Sequence, residues 1–211
     1  MSVEVKICGI NDPAAMTAAV EGGARYAGFV FYPPSPRAVS ADRAADLAEL
    51  APATVKIVGL FVDPTDDELD AALRAIKLDM VQLHGNEMPE RVAQIRALTG
   101  MPVMKAIPVA TANDLRNVSL YEAVADWLLF DAKVNARLPG GNGAAFDWSL
   151  LRGRRFAKPW MLAGGLNAAN LAEAVAATAA RVIDVSSGVE DAPGRKNPEK
   201  IRALLRLAAG L

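Results

Sequence analysis

The strongest constraint on this chain is a rhythm. Short runs rich in Val, Ile, Leu and aromatic residues alternate with longer Ala- and Leu-rich stretches along its 211 residues. That alternation is the mark of repeated βα units. The β-rich runs fall at Val3–Cys8, Tyr26–Phe31, Val55–Phe61, Met80–Leu83, Pro102–Ala106, Trp127–Asp131, Trp160–Ala163 and Val182–Val185. Eight runs spaced by roughly 20–30 residues match eight βα units. The expected fold is α/β, a closed (β/α)8 TIM barrel. A doubly wound open sheet is the alternative, but no GxGxxG follows the first run.

Helix starts are marked between the runs. Asp12-Pro13 offers an N-cap followed by proline at the first helical position. Thr65 and Glu68 have capping-box spacing ahead of Leu69, Ala72, Leu73 and Ile76. Ser40, Asn167 and Asn197-Pro198 are further caps. The fifth unit, Thr111–Tyr121, is the least periodic. Without a linker or a shift in composition, residues 1–211 read as one catalytic barrel domain. Long loops are expected at Tyr32–Val39 and Ala132–Phe146, and long loops in compact domains tend to be functional.

Hydrophobic residues make up 52% of the chain and charged residues 22%, enough for a sizeable core. The net charge of −1 comes with no basic stripe or polybasic run, so neither nucleic acid nor a membrane surface is an expected partner. A locally positive pocket for phosphate remains open. Cys8 is the only cysteine and His84 the only histidine, which excludes an intrachain disulfide and disfavours a His-rich metal site. MSVEVKICGI has a strand pattern rather than that of a signal peptide, and no apolar run reaches membrane-spanning length. The expectation is a cytoplasmic protein acting on a small molecule, with no obligate protein partner inferred.

In a barrel, chemistry sits at the C-terminal ends of the strands and in the loops that follow. Alternation along the first run turns Val3, Val5 and Ile7 toward the helices and Glu4, Lys6 and Cys8 inward. Cys8 is then either a small buried hydrophobe or a reactive thiol at the mouth. Lys6, two residues earlier on the same face, would lower the thiol pKa. Asp131 closes the sixth run as a loop anchor or as a buried acid. After it come Gly140, Gly141, Asn142 and Gly143, which permit close backbone approach to a ligand. Gly164-Gly165 after the seventh run and Ser187-Gly188 after the eighth present backbone N–H groups where barrels often seat phosphate. Arg37 sits in a proline-stiffened loop suited to a carboxylate partner, unless it is an ordinary surface arginine. His84 follows the fourth run as a structural or pocket-lining imidazole.

Lys6-Ile7-Cys8-Gly9, Ser35-Pro36-Arg37, Gln82-Leu83-His84-Gly85, Leu162-Ala163-Gly164-Gly165-Leu166 and Asp184-Val185-Ser186-Ser187-Gly188-Val189-Glu190 together resemble the phosphoribosylanthranilate isomerase family. The order and spacing of these and of the intervening motifs hold over essentially the whole chain. The resemblance implies a (β/α)8 barrel of tryptophan biosynthesis that works without cofactor or metal. Its reaction is the Amadori rearrangement of N-(5-phosphoribosyl)anthranilate to 1-(2-carboxyphenylamino)-1-deoxyribulose 5-phosphate. It further implies Cys8 as general base, Asp131 as general acid and Arg37 at the anthranilate part. Phosphate would rest near Gly164, Gly165, Ser187 and Gly188, with the Gly141–Gly143 loop closing nearby and His84 and Asp184 also lining the substrate. Asn142 departs from the family's threonine in the Gly-rich loop, and Arg181-Val182-Ile183 departs ahead of Asp184. An imidazole-pathway isomerase would have an aspartate in place of Cys8, and a metal-dependent epimerase would need more histidines. A non-catalytic scaffold barrel would have no use for the Cys8–Asp131 pair.

Overall fold

Eight parallel strands close on themselves in sequence order, β1 to β8. They are β1 Glu4–Cys8, β2 Tyr26–Val30, β3 Lys56–Phe61, β4 Met80–Leu83, β5 Val103–Val109, β6 Trp127–Ala132, β7 Trp160–Leu162 and β8 Val182–Val185. Closure is made by β1 against β8, with Glu4 opposite Val182 and Lys6 opposite Asp184. The computed structural model describes residues 3–133, 143 and 145–211. The barrel expected from the eight runs is the fold observed.

Around the strands lie α1 Pro13–Glu21, α2 Ala41–Ala48, α3 Asp66–Ala75, α4 Pro89–Thr99, α5 Val118–Glu122, α6 Leu171–Thr178 and α7 Pro198–Ala209. The caps at Asp12, Ser40, Thr65 and Asn197 each accept a backbone N–H of the first helical turn. Asn167 lies one turn before α6, whose cap is Asn170. The weakly periodic fifth unit holds only a 3-10 turn, Ala112–Leu115, and the five-residue α5. A second 3-10 turn, Trp148–Leu151, lies between β6 and β7.

Strand alternation divides the interior into two apolar regions. Val5, Ile7, Phe29, Val81, Leu83, Phe130 and Ile183 pack outward against helix residues such as Leu69, Ile95 and Leu204. Tyr26, Val58, Met80, Met104, Leu129 and Met161 fill the bore, so the barrel is solid below its mouth. Above them comes a polar layer that includes buried Lys6, Gln82 and Asp184. After β8 the chain adds a short antiparallel ribbon, β9 Glu190–Ala192 with β10 Arg195–Lys196. Its turn at Gly194 presses on the Pro36 carbonyl, so the ribbon lies against the loop that carries Arg37.

Candidate active site

Cys8 ends β1, and its thiol is packed with Val30 and Leu60. Directly below, Lys6 is fully buried and donates to Asp184 Oδ1 across the β1–β8 seam at 2.9 Å. The lysine charge is therefore engaged by a carboxylate of its own layer. Burial pushes the Cys8 thiol up; Lys6 pulls it down and Asp184 opposes Lys6, with a net rise. This corrects the expectation that Lys6 alone would favour thiolate. Burial also works against the Lys6 cation, but Asp184 and Cys8 more than offset it and raise the lysine.

Arg37 is buried, and the carboxylate it meets belongs to the chain itself. Its Nε and Nη2 donate to Glu190 Oε1 and Oε2, each at 2.8 Å, in a bidentate pair. Lys196 donates to the same Glu190 at 2.7 Å and to the Ser186 carbonyl at 3.0 Å. Burial pushes the Glu190 carboxyl up, yet Arg37 and Lys196 outweigh it and hold the group below its ordinary value. Gly9, at φ +74°, leaves the space that the Arg37 stem fills: a Cβ there would lie 2.7 Å from Arg37 Cδ. Near Cys8, then, three cations (Lys6, Arg37 and Lys196) meet two carboxylates (Asp184 and Glu190). The Cys8 side of the mouth thus carries one more cation than carboxylates, while Asp131 stands on the other side.

Asp131 lies near the end of β6, three strands from β1 around the barrel through β7 and β8. Its Oδ1 accepts the Ala132 N–H at 2.8 Å, and its Oδ2 stands 3.1 Å from His84 Nε2. His84 Nδ1 stands 3.0 Å from Gln82 Nε2, making a chain of side chains from the polar layer to the mouth. The His84 turn is anchored from outside the barrel. Buried Lys105 donates to the Gly85 carbonyl and to Glu87 Oε2, both at 2.8 Å, while Glu87 accepts the N–H groups of Asp63 and Gly85.

Gly164 follows β7 at φ +88°; a Cβ there would sit 2.8 Å from the Ala132 nitrogen and 3.3 Å from Asp131 Oδ1. The turn after β7 thus lies against the aspartate. Gly188 abuts the Leu166 carbonyl, which joins the loops after β7 and β8. The Gly165 carbonyl is gripped by Asn167 and Asn170, and its N–H has no acceptor among the described residues. A Cβ on Gly143 would come 3.9 Å from Ser187 Oγ, so that end of the Gly-rich loop stands beside the turn after β8. Gly140, Gly141 and Asn142 lie outside the described residues.

Of the residues of β1 read as inward, Lys6 and Cys8 are buried in the bore, whereas Glu4, at the start of the strand, is exposed beside Arg25. Gln82, Glu87, Lys105, Glu190 and Lys196 also belong to this mouth and its supports, and apart from Lys105 the sequence does not mark them individually. Lys105 carried a signal, since a charge at an outward position of a buried strand needs a partner. Among the described residues, no group of three or more His, Cys, Asp and Glu side chains is arranged to hold a metal ion. No helix is long and apolar enough to cross a membrane.

A solid eight-stranded barrel with a thiol, a His-supported carboxyl and buried arginine and lysine on one face belongs to the (β/α)8-barrel enzymes. The family model for N-(5'-phosphoribosyl)anthranilate isomerase matches residues 5–206. The chain belongs to the N-(5'-phosphoribosyl)anthranilate isomerase family. It is 58% identical over 214 residues to N-(5'-phosphoribosyl)anthranilate isomerase of Rhodospirillum centenum, covering 100% of both chains. Among solved structures it is similar to phosphoribosyl anthranilate isomerase of Thermotoga maritima, with a TM-score of 0.88 and 35% identity, covering 99% of this chain and 100% of that one. It is also similar to a phosphoribosyl anthranilate isomerase in complex with reduced 1-(o-carboxyphenylamino)-1-deoxyribulose 5-phosphate. There the TM-score is 0.83 and the identity 34%, with 99% of this chain and 100% of that one covered.

Proposed function

We propose that this chain isomerises N-(5'-phosphoribosyl)anthranilate in tryptophan biosynthesis, with Asp131 as general acid and Cys8 as general base. The observation that carries the assignment is the setting of Asp131. Its carboxyl is held by two defined neighbours on the same barrel face that presents the only thiol.

Asp131 gives its proton to the ribose ring oxygen as the bond from that oxygen to C1′ breaks. The pair of that bond moves to the oxygen, and the anilino nitrogen lone pair forms C1′=N. The resulting iminium acidifies the C2′ proton, which the Cys8 thiolate removes. The C2′–H electrons form C1′=C2′, and the C=N pair returns to nitrogen. Tautomerisation of the enolamine to the ketone completes an Amadori rearrangement that is redox-neutral overall and needs no cofactor. A thiol held high in its pKa is a scarcer thiolate but a stronger base once formed.

Arg37, oriented by Glu190, supplies positive charge for the anthranilate carboxylate. The turns at Gly164-Gly165 and Ser187-Gly188 seat the phosphate, supported by the Gly165 N–H, which has no acceptor among the described residues, and by Gly143 beside Ser187. His84 and Asp184 act at the substrate through their bonds to Asp131 and Lys6, and Gly141, assigned to the phosphate by the family resemblance, lies outside the described residues. The same reading makes the chain one catalytic barrel domain acting in the cytoplasm.

The test is a steady-state assay following loss of substrate fluorescence. Cys8→Ala and Asp131→Asn should each lower kcat by about 10²–10⁴-fold, the usual worth of a general acid or base. Either variant turning over at close to the parent rate overturns its assigned role.

A further inference from the structure

Gln82 lies in the fully buried layer of the bore, and its Nε2 faces His84 Nδ1 at 3.0 Å. An amide nitrogen only donates, so Nδ1 must accept. A neutral imidazole that accepts at Nδ1 carries its hydrogen on Nε2, and that nitrogen faces Asp131 Oδ2 at 3.1 Å. The direction of both bonds is thus set at the bottom of the relay, in the bore. Turning the amide over would offer Oε1 to Nδ1–H and leave a bare Nε2 lone pair facing Asp131. The imidazole would then accept the very proton that the acid has to deliver.

The orientation present leaves Gln82 Oε1 buried and unpartnered among the described residues. The fold tolerates an orphaned acceptor while the donor end is spent on His84. The ring itself is fixed by backbone, through the His84 N–H to the Phe61 carbonyl at 2.8 Å and the Lys105–Glu87 pair behind Gly85.

We propose that Gln82 is a positioning residue that locks His84 as the Nε2–H tautomer, so that His84 donates to Asp131 and cannot take its proton. Oδ1 accepts from Ala132 and Oδ2 from His84, which are both bonds to a carboxylate acceptor. Neither neighbour competes with the substrate for the proton, and both receive the anion left after it has gone. This inference rests on Asp131 being the acid of the proposed reaction.

His84 is the only histidine, so imidazole 15N spectra of labelled protein report this ring alone. The parent protein should show Nε2 protonated and Nδ1 pyridine-like; a protonated Nδ1 on a neutral ring overturns the proposal. Gln82→Glu puts an acceptor at Nδ1 and should protonate that nitrogen. It should also lower kcat by about 10- to 100-fold, the worth of one hydrogen bond to a charged group, with KM little changed. Gln82→Met, similar in length and without a donor, should give mixed tautomers and an intermediate loss of kcat. A Gln82→Glu protein with parental spectrum or parental kcat overturns the proposal, and if that variant does not fold the parent spectrum decides. The two readings separate cleanly. Parental turnover by Asp131→Asn removes the acid while leaving the tautomer readable, whereas the wrong tautomer with an inactive Asp131→Asn removes only the lock.

Discussion

Arg37 is held at the rim by Glu190, and the same carboxylate also takes Lys196, so one anion organises two cations beside Cys8. Removing that anion should show in stability as a function of pH. The folded-state value of Glu190 lies below its ordinary 4.5, so its contribution is fully present above 4.5 and is lost as the pH falls through the depressed folded value. Glu190→Gln should therefore unfold more readily at neutral pH, by about 3 kcal/mol, because two buried cations lose their counter-charge. The gap to the parent should close in acid, where the parent carboxyl is also neutral. Chemical denaturation at neutral and acidic pH reads both, and a gap that stays constant with pH would refute the pairing as its source. Glu190 could be read in the sequence only as part of a motif. Its partner Arg37 is 153 positions away, and no local pattern encodes an ion pair across that interval.

The elements were the most legible part of the chain, because what starts a helix or strand is local. Thr65 and Glu68 form the expected reciprocal box, with Glu68 Oε2 accepting the Thr65 N–H at 2.8 Å and Thr65 Oγ1 the Glu68 N–H at 3.3 Å. Thr65→Ala should cost about 1 kcal/mol, seen as a lower midpoint in urea with an unchanged slope. A larger loss would mean that Thr65 does more than cap. The fifth unit, between β5 and β6, is the least legible for a physical reason. A four-residue 3-10 turn and a five-residue helix bury too few residues to write a 3.6-residue period. Strand ends shifted by one to three residues, most at β5, where pairing with β6 continues through Val109 opposite Ala132. Such extension is decided by the neighbouring strand rather than by the residues themselves.

At the scale of the molecule, the barrel exists only when β8 pairs with β1, and that seam also joins Lys6 to Asp184. Deleting residues 182–211 would open two strand edges and bare the apolar face that α7 covers with Ile201, Leu204 and Leu205. The truncated chain should aggregate or lose its near-ultraviolet circular dichroism; a soluble protein with parental dichroism would show that closure is dispensable. From sequence alone came the eight strand runs, the caps at Asp12, Ser40, Thr65 and Asn197, the inward set of Lys6 and Cys8, and the motifs that carry the family. Each depends on period, alternation or short spacing, which the chain writes within a few residues. Only the folded barrel decided that Lys6 is neutralised by Asp184, that Arg37 already holds Glu190, and that Gln82 reaches Asp131 through His84. Those pairings join strands and loops far apart in sequence, and burial sets their strength, so they exist only once the strands have closed.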